Sequence, residues 1–406
     1  MKSLFKKKIF LITFSLYLSL IIASFFIYFI EYKKNIYTEQ WIVDYCEKNY
    51  SDCEKKNLKY FFLDERTKNP DLSIYAPPIH STRIKKFVEK EVFPFSGVSN
   101  SKTLICNESG KYVFITSDRY GFNNLDNIWD KSIDVTLVGD SFTFGECVNF
   151  NETITSNLLK ANYNTISLGY GSNGPLITLG SIREFGSLIK SKNVFWIFFA
   201  GNDLEDLSRE KKSKLLIKYL DPNFSQGLLN KKKFIDKVYS DYFESESEKL
   251  KNSWPYKFSL IKIFDLSIVK IFLKNYFNNY QLSNSERKES SEKYRVIDNY
   301  DFDLFSKIIE TANKEVKSWG GELFFVYIPS PRVFHSKDYN LENKYQRDKV
   351  KRIVHSHDLE FIEIENKIIE LKIPIDKIYS HGMGHFIKNG YKIVSTEIIN
   401  FLNKAK

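Results

Sequence analysis

The feature that most constrains this chain is a short apolar run that stops abruptly at three small polar residues. Ile133-Asp134-Val135-Thr136-Leu137-Val138 is rich in Val, Ile and Thr, and Gly139-Asp140-Ser141 follows it directly. Branching at Cβ suits a pleated strand, so the run predicts a buried strand with a hydroxyl left at its carboxyl end. That end of the strands is where α/β sheets carry their chemistry. Gly139 allows a tight or left-handed turn, and the residues after Ser141 can open a helix whose amides face a developing negative charge. Taken alone, small polar residues after a strand cap a helix more often than they supply a nucleophile. The rest of the chain decides between the two.

Strands and helices alternate from Ile133 onward. Val135–Val138 is followed by a helix over Glu152 to Lys160, the strand Thr165–Leu168, a helix from Pro175 to Lys190 and the apolar strand Val194–Phe199. Later come a helix from Phe302 to Trp319, the strand Leu323–Ile328, a helix around Lys344 to His355, a short strand Phe361–Ile364 and a final helix to Leu402. This alternation builds a parallel sheet covered by helices on both faces. The core is therefore expected in 131–203 and 300–406. Residues 204–299 interrupt it as a helical insertion or cap, with an amphipathic stretch over Ser259 to Tyr280 and a linker at Ser283 to Lys293. Residues 35–130 form an irregular lead-in layer with hairpin strands near 96–107 and 112–116.

The amino terminus predicts a membrane anchor. Ile9 to Ile30 contains no charged residue and follows Lys6-Lys7-Lys8. As a helix it would be roughly 33 Å long, enough to cross a bilayer. It exceeds the apolar region of a cleaved signal and lacks a convincing cleavage motif, so 1–34 reads as an uncleaved anchor, with the amino terminus inside and the remainder periplasmic or otherwise extracytoplasmic. The net charge of +10 is spread as Lys over the whole length, which does not mark a nucleic-acid binder. Four cysteines fit an oxidising compartment; Cys46–Cys53 with Cys106–Cys147 is one of three pairings and the one favoured here. Spacing offers no metal site: His80, His335, His355 and His357 lack partners at ligand spacing, and no cofactor motif stands out.

Four segments bring polar groups to one edge of the expected sheet. They are Gly139-Asp140-Ser141, the turn Leu168-Gly169-Tyr170-Gly171-Ser172-Asn173-Gly174-Pro175, Gly201-Asn202-Asp203, and His381-Gly382-Met383-Gly384-His385 ahead of Asn389-Gly390-Tyr391. In this order they resemble the four blocks of the SGNH (GDSL-type) hydrolases over Ile133 to Leu402, the insertion excepted. Longer strings around them, with Cys106-Asn107-Glu108-Ser109-Gly110, resemble a membrane-anchored bacterial subgroup. The resemblance implies a flavodoxin-like three-layer α/β sandwich, Ser141 as nucleophile and His385 as general base. It also implies an oxyanion hole from the Ser141 amide, an amide of Gly171 or Ser172, and the Asn202 side chain.

In one place the chain departs from that family, which usually carries an Asp two or three residues before its His where Gly382 and Met383 stand here. Asp376 and Glu363 are the candidate orienting acids, and a Ser141–His385 dyad is the alternative. His381 reads as an exposed turn residue, and Glu205, Asp206 and Glu210 as a solvated helix face. The expected function is a serine esterase that removes acyl groups, foremost acetyl, from an extracytoplasmic substrate such as envelope polysaccharide. The alternatives are an O-acyltransferase using the same Ser-His site, and a non-catalytic carbohydrate-binding or assembly protein on this fold. The partners implied are an acylated carbohydrate or other ester and the inner membrane; the oligomeric state is left open.

Overall fold

A computed structural model of the chain describes residues 2–36, 42, 46–48, 53–54, 56–252, 263–264, 266, 269–270, 273, 300–335, 337–382 and 384–404. Its centre is a five-stranded sheet built from β4 (Val135–Gly139), β5 (Thr165–Ser167), β6 (Asn193–Phe199), β7 (Glu322–Ile328) and β8 (Phe361–Glu363), in the spatial order β5-β4-β6-β7-β8. All four pairings are parallel. The longest runs from Asn193 opposite Glu322 to Phe199 opposite Ile328.

Successive strand residues point to opposite faces, and both faces here are buried. Val138, Trp196, Phe198, Phe325 and Tyr327 pack on one side with Leu176, Ile308 and Tyr239. Val135, Leu137, Phe195, Ile197, Phe324 and Val326 pack on the other with Ile154, Ile364, Val394 and Ile398. The helices Pro175–Ser181, Leu228–Lys251 and Phe302–Ser318 therefore cover the first face, and Ile154–Lys160, Ile364–Leu371 and Lys388–Lys404 the second. The single helix expected from Pro175 to Lys190 contains a π turn, Ile182–Gly186. The helix Ile364–Leu371, which follows β8 directly, was not foreseen.

The lead-in region forms a second sheet of three strands, β1 (Ser73–Ile74), β2 (Lys102–Cys106) and β3 (Val113–Thr116). It is fastened to the core beside the carboxyl end of β4. Asn124 Nδ2 donates to Ser167 O at 2.9 Å and Asn124 Oδ1 accepts from Ser167 N at 2.8 Å. Asn123 Nδ2 donates to Phe144 O at 2.9 Å. Both expected disulfides are formed, Cys46–Cys53 and Cys106–Cys147. The second ties the end of β2 to the loop that follows Ser141.

The helix Leu228–Lys251, from the insertion, buries Ile235, Val238 and Tyr239 and reaches the lead-in layer. There Tyr239 meets Phe87 with ring centres 5.2 Å apart, and Lys232 Nζ donates to Gly97 O at 2.5 Å. The linker expected at 283–293 lies outside the described residues, as does most of 259–280. The amino-terminal helix Lys2–Ile36 contains Lys7–Ile30, a segment of 24 residues long and apolar enough to cross a membrane.

Candidate active site

The turn after β4 can be built only around glycine. Gly139 has φ +146°, and a Cβ there would lie 2.3 Å from Ile197 O and 2.4 Å from Thr143 Oγ1. Asp140 then caps the short helix Ser141–Phe144, its Oδ1 accepting from Phe142 N at 2.9 Å. This places Ser141 at the first turn with 6% of its surface exposed and Oγ 3.4 Å from Asp140 Oδ2. Gly145 ends the helix in the left-handed region, and the amides of Gly145 and Glu146 both donate to Ser141 O at 3.0 Å.

His385 arrives from the other end of the chain. Its loop is closed by Ser380 N–H donating to His385 O at 2.7 Å and by the antiparallel pair Tyr379 and Phe386. The helix Lys388–Lys404 follows at once and is anchored by buried Tyr391, Val394 and Ile398. His385 Nε2 lies 3.0 Å from Ser141 Oγ. The two residues expected to act together are within hydrogen-bond reach.

The carboxylate that orients the imidazole comes from neither expected position. His385 Nδ1 is 2.8 Å from Glu108 Oε1, and the His385 amide donates to Glu108 Oε2 at 3.0 Å. Both oxygens of one carboxylate therefore hold one histidine. Glu363 is turned away on the edge strand β8, where it pairs with Arg347 and Lys351 at 3.3 and 3.4 Å. Asp376 sits in the turn Ile375–Lys377 and makes no contact with the imidazole. Glu108 is two residues beyond Cys106, and the Cys106–Cys147 bridge brings it to the loop that follows Ser141. The acid beside His385 is delivered by the lead-in hairpin. Two signals point toward it: the favoured Cys106–Cys147 pairing and the string Cys106-Asn107-Glu108-Ser109-Gly110.

Gly171, Ser172 and Asn202 lie beyond the carboxyl ends of β5 and β6, the two strands that flank β4. Ser172 takes φ +58° in the turn. Asn202 Nδ2 donates to Asp206 Oδ2 at 2.9 Å, which fixes the amide and leaves its second N–H uncommitted. Asn202 Oδ1 is buried without a partner. The turn and Asn202 are locked to each other through the helix Asp203–Glu210: Glu210 accepts from Gly174 N at 2.7 Å and from Leu176 N at 2.8 Å. Asp206 and Glu210, expected on a solvated face, are only 2% and 1% exposed. They are buried because they satisfy backbone and amide donors that the two blocks would otherwise orphan; Glu205 is the exposed member. His381 is half-buried in the His385 loop rather than exposed.

Charge is concentrated here. Burial opposes the His385 imidazolium, but the carboxylates of Glu146 and Glu108, with Asp140 further off, outweigh it and push its pKa up to about 10. Burial likewise opposes the Glu108 carboxylate, yet His385 holds it down at about 2. Desolvation dominates elsewhere, raising Asp140 to about 6, Asp206 to about 7 and Glu210 to about 8. Glu146 is also pushed up by burial, and its Oε2 lies 3.9 Å from His385 Nε2. Glu108, Cys147 and His385 bring three potential metal-ligand atoms within 4.8 Å. The Cys147 sulfur is bonded to Cys106 and the other two groups bond each other, so the set fits an acid–base relay better than a cation.

No protein-family model matches the chain, and no curated protein matches it.

Proposed function

We propose that this chain is a serine esterase of SGNH type, in a three-layer sandwich, acting outside the cytoplasm. One observation carries the reading: Ser141 Oγ, His385 Nε2 and, through Nδ1, Glu108 Oε1 form a continuous relay of 3.0 and 2.8 Å. A serine hydroxyl is a weak nucleophile until a base takes its proton, and an imidazole does so best when a carboxylate fixes its tautomer and stabilises the imidazolium. Glu108 accepts a hydrogen bond from Nδ1–H, which leaves Nε2 free to receive the proton of Ser141.

In the first half-reaction Ser141 Oγ bonds to the ester carbonyl carbon while its proton passes to Nε2. The negative charge moves to the carbonyl oxygen, toward the Ser141 amide, the Gly171–Ser172 turn and the free N–H of Asn202. The tetrahedral species then expels the alcohol, which takes the proton from Nε2, and the acyl group stays on Ser141. Water repeats the sequence, releasing the acid and restoring the hydroxyl. Losing one oxyanion donor costs about 10²–10³ in rate. The apolar segment Lys7–Ile30 serves as the anchor, and two disulfides suit an oxidising compartment. Acetylated envelope polysaccharide is the substrate in this proposal.

The test is hydrolysis of 4-nitrophenyl acetate by the detergent-solubilised chain. Turnover that disappears in Ser141→Ala supports the reading. An unchanged rate in that variant, or none in the parent, overturns it.

A further inference from the structure

A second carboxylate stands beside the reacting pair and has no part in the steps above. Glu146 follows Ser141 by five positions, its Oε2 is 3.9 Å from His385 Nε2, and its side chain is 13% exposed. Nε2 is the nitrogen that faces Ser141, so it is also the atom to which the departing oxygen must come to be protonated. Glu146 therefore lies beside the leaving group, on the opposite side of the ring from Glu108. Among the described residues His385 is the one cation within ion-pair distance of it.

The position is held firmly. Glu146 O accepts from Tyr391 Oη at 2.8 Å, its amide donates to Ser141 O, and Cys147 beside it is bridged to Cys106. A Cβ placed on Gly171 would fall 1.6 Å from Tyr75 Oη and 3.0 Å from Glu146 Oε2, so hydroxyl and carboxylate both crowd the Gly171 turn. The Tyr75 ring is itself fixed against Tyr170 and Phe144, at 4.9 and 5.4 Å between centres. The Tyr75 hydroxyl favours the Glu146 carboxylate against the larger effect of burial, but a carboxylate so close to the turn that would receive the oxyanion still opposes the charge developing there. A hydrogen bond donated to it by the substrate would disperse that charge.

We propose that Glu146 is a specificity residue. It accepts a hydrogen bond from a hydroxyl of the alcohol half of the ester, on the carbon next to the one bearing the reacting oxygen. The site then takes monoesters of polyols, sugars included, ahead of esters of simple alcohols. This rests on the esterase reading and names its substrate class. A quaternary ammonium group would meet the charge of Glu146 but has no proton to donate.

The test compares kcat/KM for 1-acetylglycerol, ethyl acetate and acetylcholine, using the full chain in detergent. Parent, Glu146→Gln and Glu146→Met are each assayed on their own pH plateau. The parent should favour acetylglycerol over ethyl acetate by about 10–100-fold, the worth of one charge-assisted hydrogen bond. The ratio should fall below about threefold in Glu146→Met and lie between in Glu146→Gln. A parent ratio near one, a ratio retained in Glu146→Met, or acetylcholine preferred to acetylglycerol overturns the proposal. The parent comparisons need no variant to fold. Turnover without preference strikes down only the role of Glu146, whereas a parent inert to these esters and to 4-nitrophenyl acetate removes the esterase reading with it.

Discussion

His385 lies between two carboxylates, and their charge decides when it can act as a base. Only the neutral imidazole accepts the Ser141 proton, while Glu146 and Glu108 raise its pKa to about 10. Activity should therefore climb with pH, its rising limb well above the ordinary histidine value of about 6.5. Replacing Glu108 by Gln removes one of those charges and the acceptor that fixes the tautomer. The limb of kcat/KM against pH should move to lower pH while the plateau drops by about 10³–10⁴. An unchanged profile would exclude Glu108 as the orienting acid. At the oxyanion side, Asn202→Ala should lower kcat by about 10²–10³ with a smaller effect on KM, measured with 4-nitrophenyl acetate. A change in KM alone would make Asn202 a ground-state contact.

Ser141, His385 and Glu108 are each carried by a separate element, and covalent or capping contacts align the elements. The Cys106–Cys147 bridge joins the Glu108 hairpin to the Ser141 loop across a sequence separation of 41 residues. A loop of that size is worth about 4 kcal/mol in the chain-entropy picture. Replacing both cysteines by Ala should lower kcat/KM by more than about tenfold and reduce stability in chemical denaturation. Removing Cys46–Cys53 should leave the rate near that of the parent. Equal losses from both pairs would show that the first bridge has no special place in the site.

These links also explain what could be read in advance. The five strands and the helices between them follow from local composition and hydrophobic period, which belong to the segment itself, whereas the pairing of Ser141 with His385 comes from the resemblance of four ordered blocks. Glu108 could not be found that way. Its string Cys106-Asn107-Glu108-Ser109-Gly110 stands out but says nothing of a role, because Glu108 sits on a hairpin outside the core and reaches His385 only where a disulfide and a turn bring it there. Asp206 and Glu210 were misplaced for a related reason. Their charge speaks for solvent, but the donors they satisfy, Asn202 Nδ2, Gly174 N and Leu176 N, become visible only when two blocks meet.

Over the whole molecule, the buried acids and the proposed mechanism predict opposite pH dependences for stability and activity. Asp140, Asp206 and Glu210 have folded-state pKa values of about 6, 7 and 8, above those of free carboxyls, so the folded chain binds more protons than the unfolded one. Their contribution is greatest at low pH and is lost as pH rises through these values. The raised His385 acts in the same sense, its share being complete below about 6.5 and lost through about 10. Glu108, held at about 2, contributes fully above about 4.5 and does not change the trend between pH 5 and 9. Thermal unfolding midpoints should therefore fall from pH 5 to pH 9 while the hydrolytic rate increases. A midpoint that rises over that range would mean that these carboxyls are charged at little cost.

The relay from Glu108 through His385 to Ser141 is tested most directly by covalent capture of the serine. The full chain in detergent is treated with a fluorophosphonate, and the adduct is located and its rate of formation measured by mass spectrometry. The relay predicts a single adduct on Ser141, formed at least about 10³-fold more slowly in His385→Ala. No adduct, an adduct at another residue, or labelling of His385→Ala at the parent rate would contradict it.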